Sequence, residues 1–136
     1  MRPATMRLTL ALALAAGLTA CAPPGSRGPT ADLVQVVGTV SAGPTCPVER
    51  QPPDPACSER PVAGANVSVR DADGREVASV VSGADGRFAV TLAPGTYRIV
   101  SSPVQGLLGT PSPVDLSLTA GEQPVTVDLS YDTGIR

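Results

Sequence analysis

The chain has no histidine, no lysine and no tryptophan, and its aromatic side chains are Phe88, Tyr97 and Tyr131. Without imidazole there is no general base for a serine or cysteine triad and no imidazole metal ligand. Without lysine there is no amine nucleophile and no Schiff base. The scarcity of aromatics removes a platform for stacking bases or sugar rings and leaves the core to Val, Leu, Ile and Ala. An excess of basic charge is missing too: after residue 20 the chain carries eight arginines against twelve carboxylates. Such a surface repels phosphate backbones, which sets nucleic acid aside as a partner. Any enzymatic reading rests on carboxylates and arginine alone.

What is there begins with a leader. Arg2 and Arg7 precede an apolar run from Leu8 to Leu18, the layout of a secretion signal, too short to span a bilayer comfortably as a mature helix. Leu18, Thr19, Ala20 and Cys21 resemble the bacterial lipobox. That resemblance implies cleavage before Cys21, diacylation of its thiol, and a protein held on a membrane by two or three acyl chains, enough for stable anchoring where one is marginal. The alternative is an ordinary signal peptide with an incidental cysteine. Ala22 in place of aspartate implies sorting to the outer membrane of an envelope that has one, and otherwise the outer face of the plasma membrane. The expected division is a signal peptide over 1–20, a lipidated cysteine with a Pro- and Gly-rich tether over 21–31, and one β-domain over 32–136. The tether extends about 3 Å per residue.

From Asp32 the pattern is alternating and apolar. Val34, Val36 and Val40 share one parity, with Gly38 at a bulge or a close approach. Ala65, Val67 and Val69 point inward and Asn66, Ser68 and Arg70 outward. Asp73-Gly74 turns the chain into Glu76–Val81, an edge-strand candidate, and Asp85-Gly86 leads to the apolar face of Phe88, Val90 and Leu92. Pro94-Gly95 then supplies a type I or II turn before Tyr97 and Ile99. Val114, Leu116 and Leu118 form another strand, and Val125, Val127, Leu129 and Tyr131 the last. This predicts seven strands joined hairpin after hairpin in an antiparallel, all-β, Greek-key sandwich.

Two loops interrupt the pattern. The first, proline-rich, holds Cys46 and Cys57; in an exported chain whose third cysteine is lipidated, these most simply form a disulfide. Closing that ring contributes about 2 to 3 kcal/mol in the chain-entropy model. The alternative is free or metal-binding thiols, which without histidine need carboxylate partners. The second loop, 101–113, places Leu107 and Leu108 between glycines. They either cap one end of the core or stand exposed for a membrane or a partner.

PVAGANVSV, a turn, and DGRFAVTLAPGTYRIV closely resemble the carboxypeptidase regulatory-like domain of the transthyretin-like superfold. Its pattern is a proline or small-residue start to a strand, then DxxGxF, of which this chain matches only the DGRF part literally, then PGxYxI or PGxYxV. The resemblance runs from about Val34 to Tyr131, and GPTCPV with its following cysteine and the closing YDTGIR look like a bacterial lipoprotein subset. It implies a transthyretin-like sandwich serving as a stalk, a docking module or a sugar-binding accessory, and fold alone does not choose between these. Hydroxyisourate hydrolases of similar shape depend on histidines, and pilin-type domains close lysine isopeptide bonds. This chain has neither residue.

The candidate sites are few. Asp71, Asp73 and Asp85 have the look of a calcium loop, but Glu76 falls too early for the twelfth-position ligand, and turn chemistry accounts for them. Glu49, Asp54 and Glu59 lie in a solvated loop with Arg50 and Arg60, without the cleft a glycosidase pair needs. The expectation is therefore no catalytic residue, no metal and no cofactor. Glu49, Arg50, Leu107 and Leu108 are the candidate binding loops for an envelope protein, with an edge strand as a further docking option through β-augmentation. A polysaccharide ligand is the alternative, and a carboxylate hydrolase the remaining one.

Overall fold

The computed structural model describes residues 32–136 apart from Glu49 and Gln123. The leader, Cys21, the tether and the boundaries assigned to them lie outside the described residues. The strands are β1 (Val34–Gly43), β2 (Arg60–Pro61), β3 (Asn66–Asp71), β4 (Glu76–Val81), β5 (Arg87–Leu92), β6 (Gly95–Ser101), β7 (Val114–Leu118) and β8 (Val125–Asp132). The seven expected strands are all present, and β2 is a two-residue addition. They form two sheets, one with β1 at its centre, the other in the order β4-β3-β6-β7.

Two expectations about pairing are corrected. The sandwich is not wholly antiparallel, because β1 and β8 run parallel, from Val36 opposite Val125 to Gly43 opposite Asp132. A parallel pair needs a long connection, and the first and last strands have the whole domain between them. Nor does hairpin follow hairpin. The tight Asp73-Gly74 turn does join neighbours, but β5 belongs to the β1 sheet while β4 and β6 belong to the other. Asp85-Gly86 and Pro94-Gly95 are therefore corners between layers, which let β5 bury Phe88 and Leu92 from the opposite side.

The interior follows the period of two. Val34, Val36, Val40 and Ala42 from β1 meet Val67, Val69 and Ile99 across the sandwich, with Leu129 and Tyr131 beside them, all buried. Burying one such aliphatic side chain is worth about 1.5 to 3 kcal/mol. Gly38 shares the inward parity of β1 and sits opposite Phe88. It is a close approach and not a bulge: a Cβ there would lie 2.1 Å from the Phe88 ring and 2.7 Å from the Val127 carbonyl oxygen. Ser68, expected to be solvated, is buried because β3 is an interior strand and the Glu76 carboxylate folds back to accept its hydroxyl. β4 is an edge strand as expected, and a register shift opposite Val69/Arg70 leaves Val77 outside the ladder.

β1 also changes partner along its length. It pairs with β5 as far as Thr39 and with β2 from Ser41. The handover is made by Gly86, whose carbonyl accepts from Val40 N–H at 2.7 Å. Gly86 has φ +73°, and a Cβ would lie 2.4 Å from the Val40 oxygen, so only glycine fits.

Candidate functional site

The two loops singled out in the sequence meet at one end of the sandwich. The Cys46–Cys57 loop leaves β1 at Gly43 and returns through β2, and the disulfide is formed, with Cα atoms 5.3 Å apart. Inside the ring the Asp54 carboxylate accepts from Ala56 N–H at 2.9 Å, capping a single 3-10 turn at Pro55–Cys57. Thr45 donates to the Ser58 carbonyl at 3.1 Å and ties the two ends of the loop together. Glu59 lies over the outer face of β1 and β8, where its carboxylate accepts from the hydroxyls of Ser41 and Ser130.

The C-terminal segment joins this loop to the second one. Thr133 donates its N–H to the Gly43 carbonyl and its hydroxyl to the Pro44 carbonyl. On the other side Leu108 N–H donates to the Asp132 carbonyl at 2.8 Å, an antiparallel bridge. Asp132 turns the segment by accepting from Gly134 N–H, and both its oxygens accept from Arg136. Those bonds, the Arg136 guanidinium first, pull the Asp132 carboxyl down to about 2 and push Arg136 upward. Tyr131 anchors the segment from inside. Its ring is buried, and its hydroxyl donates to the Ser102 carbonyl and shares a bond with Ser101, fixing the start of the Leu107–Leu108 loop.

Leu107 and Leu108 divide the two roles expected of them. Leu107 packs against the core, whereas Leu108 is 55% exposed beside Gly134. Across the same end Val48 is 67% exposed. Arg50 lines a shallow hollow of about 210 Å³ with Gln51, Pro53, Asp54, Cys57 and Ser58. Glu49 lies outside the described residues. Neither the clasp at Thr133 nor the placement of Glu59 was found in the sequence, although Asp132-Thr133-Gly134 carries the Asx-turn signal that builds it.

The turn carboxylates do turn chemistry. Asp71 accepts from the N–H groups of Asp73 and Arg75, at 2.9 and 3.0 Å, and Asp85 from that of Arg87. The Arg75 backbone bond, foremost, holds the Asp71 carboxyl below its ordinary value. On the outer face of the second sheet Arg98 grips Asp115 with two hydrogen bonds, which lower the Asp115 carboxyl and raise Arg98. Among the described residues no three His, Cys, Asp or Glu side chains come together to hold a metal ion.

A family model for the carboxypeptidase regulatory-like domain matches residues 54–130, more than half of the chain. The chain belongs to this family. No curated protein matches it. Among solved structures it is similar to GBS52, the minor pilin of Streptococcus agalactiae, with a TM-score of 0.56 and 12% identity over 74% of this chain and 44% of that one. The shaft pilin SpaA from Lactobacillus rhamnosus GG gives 0.56 and 12%, over 73% of this chain and 49% of that one. BcpA, the major pilin subunit of Bacillus cereus, gives 0.55 and 17%, over 73% and 28%. This chain thus spans less than half of each pilin, and the likeness is one of β-sandwich fold.

Proposed function

We propose that this carboxypeptidase regulatory-like domain is a non-catalytic docking module, held at the cell envelope by a lipid on Cys21 and presenting the disulfide end to an envelope protein. One geometric observation carries the reading. The tether joins the domain at Val34, while the Cys46–Cys57 loop, the 133–136 clasp and Leu108 cluster beyond Gly43 at the other end of the same ten-residue strand. At about 3.3 Å per residue these ends are about 30 Å apart. An anchor before Val34 therefore attaches at the end of the domain opposite these loops.

The chemistry at that end suits recognition more than turnover. Val48 and Leu108 supply exposed apolar contact beside Arg50, and a disulfide and backbone bonds hold their loops, so little ordering entropy is lost on binding. Glu59 and Asp54 are occupied by local hydroxyl and N–H donors, and among the described residues no cluster of three carboxylate or thiol side chains forms beside them. The fold likeness to pilin domains supports protein assembly as the setting. The anchor is tested by metabolic labelling with a fatty acid: Cys21→Ser abolishes labelling and releases the protein from membranes, and persistent labelling would refute the lipid reading.

A further inference from the structure

The two sheets offer several edges, and they differ in how they are protected. β4 is interrupted at Val77, β5 has its outward N–H and C=O at Arg87 taken by Asp85 and Gly83, β7 has five residues behind Pro113, and β2 has two residues. β8 has eight residues in unbroken register with β1, and from Val125 to Asp132 it contains no proline, lysine or arginine. Among the described residues its far side pairs with no strand, so the devices that blunt exposed edges are largely missing.

The direction of each backbone group on that edge follows from two bonds. Thr133 N–H points to β1, bonding Gly43, while the Asp132 carbonyl points away from β1 and accepts from Leu108. Backbone groups alternate along a strand, so Thr126, Asp128 and Ser130 turn their N–H and C=O groups outward. Among the described residues no backbone donor or acceptor meets them. The side chains of the same three residues are exposed on the outer face of the sheet, and Asp128 takes a hydroxyl from Thr39 and, among the described residues, no cation. Leu108 is already the first antiparallel contact on this edge.

We infer that the β8 edge accepts an extended segment of another polypeptide, running antiparallel to β8 in continuation of the Leu108 bridge, with an arginine or lysine opposite Asp128 and apolar residues on either side of it. This rests on the docking reading above and names its contact. A second copy of this chain fits poorly in the three registers centred near the middle of the edge. Centred on Asp128, two aspartates oppose each other. Centred on Val127, Pro124 faces Ser130 without an N–H to give, and centred on Leu129, Leu108 already occupies the place opposite Asp132.

The test uses the oxidised mature protein and a blocked heptapeptide, Val-Thr-Val-Arg-Val-Thr-Val, followed by amide NMR. Binding protects the Thr126, Asp128 and Ser130 amides from exchange, and replacing the peptide arginine with glutamate weakens it about tenfold or more. Asp128→Pro, which removes an outward N–H and none that β1 uses, abolishes binding while the spectrum keeps its fold; Asp128→Arg reverses the preference to the glutamate peptide. No protection of these three amides, or equal binding of both peptides to the wild type, overturns the inference. In cells, a photoreactive residue at Ser130 gives a protein adduct. An adduct at Val48 or Leu108 with none at Ser130 overturns the strand contact and leaves the docking role intact, whereas no adduct at any of the three overturns both.

Discussion

The disulfide ring gives the prediction with the most direct arithmetic. Cys46 and Cys57 lie 11 residues apart, and replacing both with serine frees that loop in the unfolded chain. The chain-entropy model assigns a ring of this size roughly 3 kcal/mol at room temperature. The ends of the loop stay together in the native state through the β1–β2 pair, the Thr45–Ser58 bond and the Thr133 clasp. Native contacts therefore survive, and the loss appears as stability. For a domain near 100 residues it corresponds to a fall in Tm of about 10 to 20 °C. Urea unfolding of the oxidised wild type and the double serine variant, each fitted for midpoint and slope, measures it. A loss below about 1 kcal/mol at unchanged slope would refute the argument, and would mean that the unfolded chain already holds these residues together.

Gly38→Ala forces a Cβ against the Phe88 ring and the Val127 carbonyl, and overpacking of this kind costs about 1 to 3 kcal/mol in urea unfolding. Because one of the two collisions is with backbone, combining it with Phe88→Leu restores only part of the loss. The acid behaviour of the clasp has a definite sign. Asp132 titrates at about 2 when folded against 3.8 as its ordinary value, so its contribution is present above that ordinary value and is lost as pH falls through about 2. Carbon-detected NMR of the Asp132 carboxyl checks this, and Arg136→Ala raises the midpoint toward 3.8.

Local features of the fold were legible because they depend on neighbours in the chain. The strand spans follow from valines at every second position, Asp73-Gly74 and Asp85-Gly86 from turn chemistry, the family from DGRF and PGTYRIV, and the disulfide from two cysteines in one loop of a chain whose leader reads as a secretion signal. Pairing across the molecule was not. Nothing around Val125 marks β1 as its parallel partner, and Phe88 shows the same alternation whether its strand continues a hairpin or crosses to the other layer. For the candidate site, both loops were visible as departures from alternation, but their meeting depends on Thr133 and Leu108 bonding to opposite sides of one short segment. Ser68 was misplaced for a related reason. Alternation assigns a side chain to a face, whereas burial depends on which neighbour, here Glu76, folds over it.

The most direct test of the docking account is photo-crosslinking in intact cells, with the photoreactive residue placed in turn at Val48, Leu108 and Ser117. An amine-reactive reagent would find no lysine in this chain to attack. Val48 and Leu108 stand at the disulfide end, while Ser117 is exposed on the outer face of the second sheet. The account predicts one recurrent protein adduct at Val48 or Leu108 and none at Ser117. Adducts at Ser117 alone, or none at any position in cells where a control protein crosslinks cleanly, would contradict it.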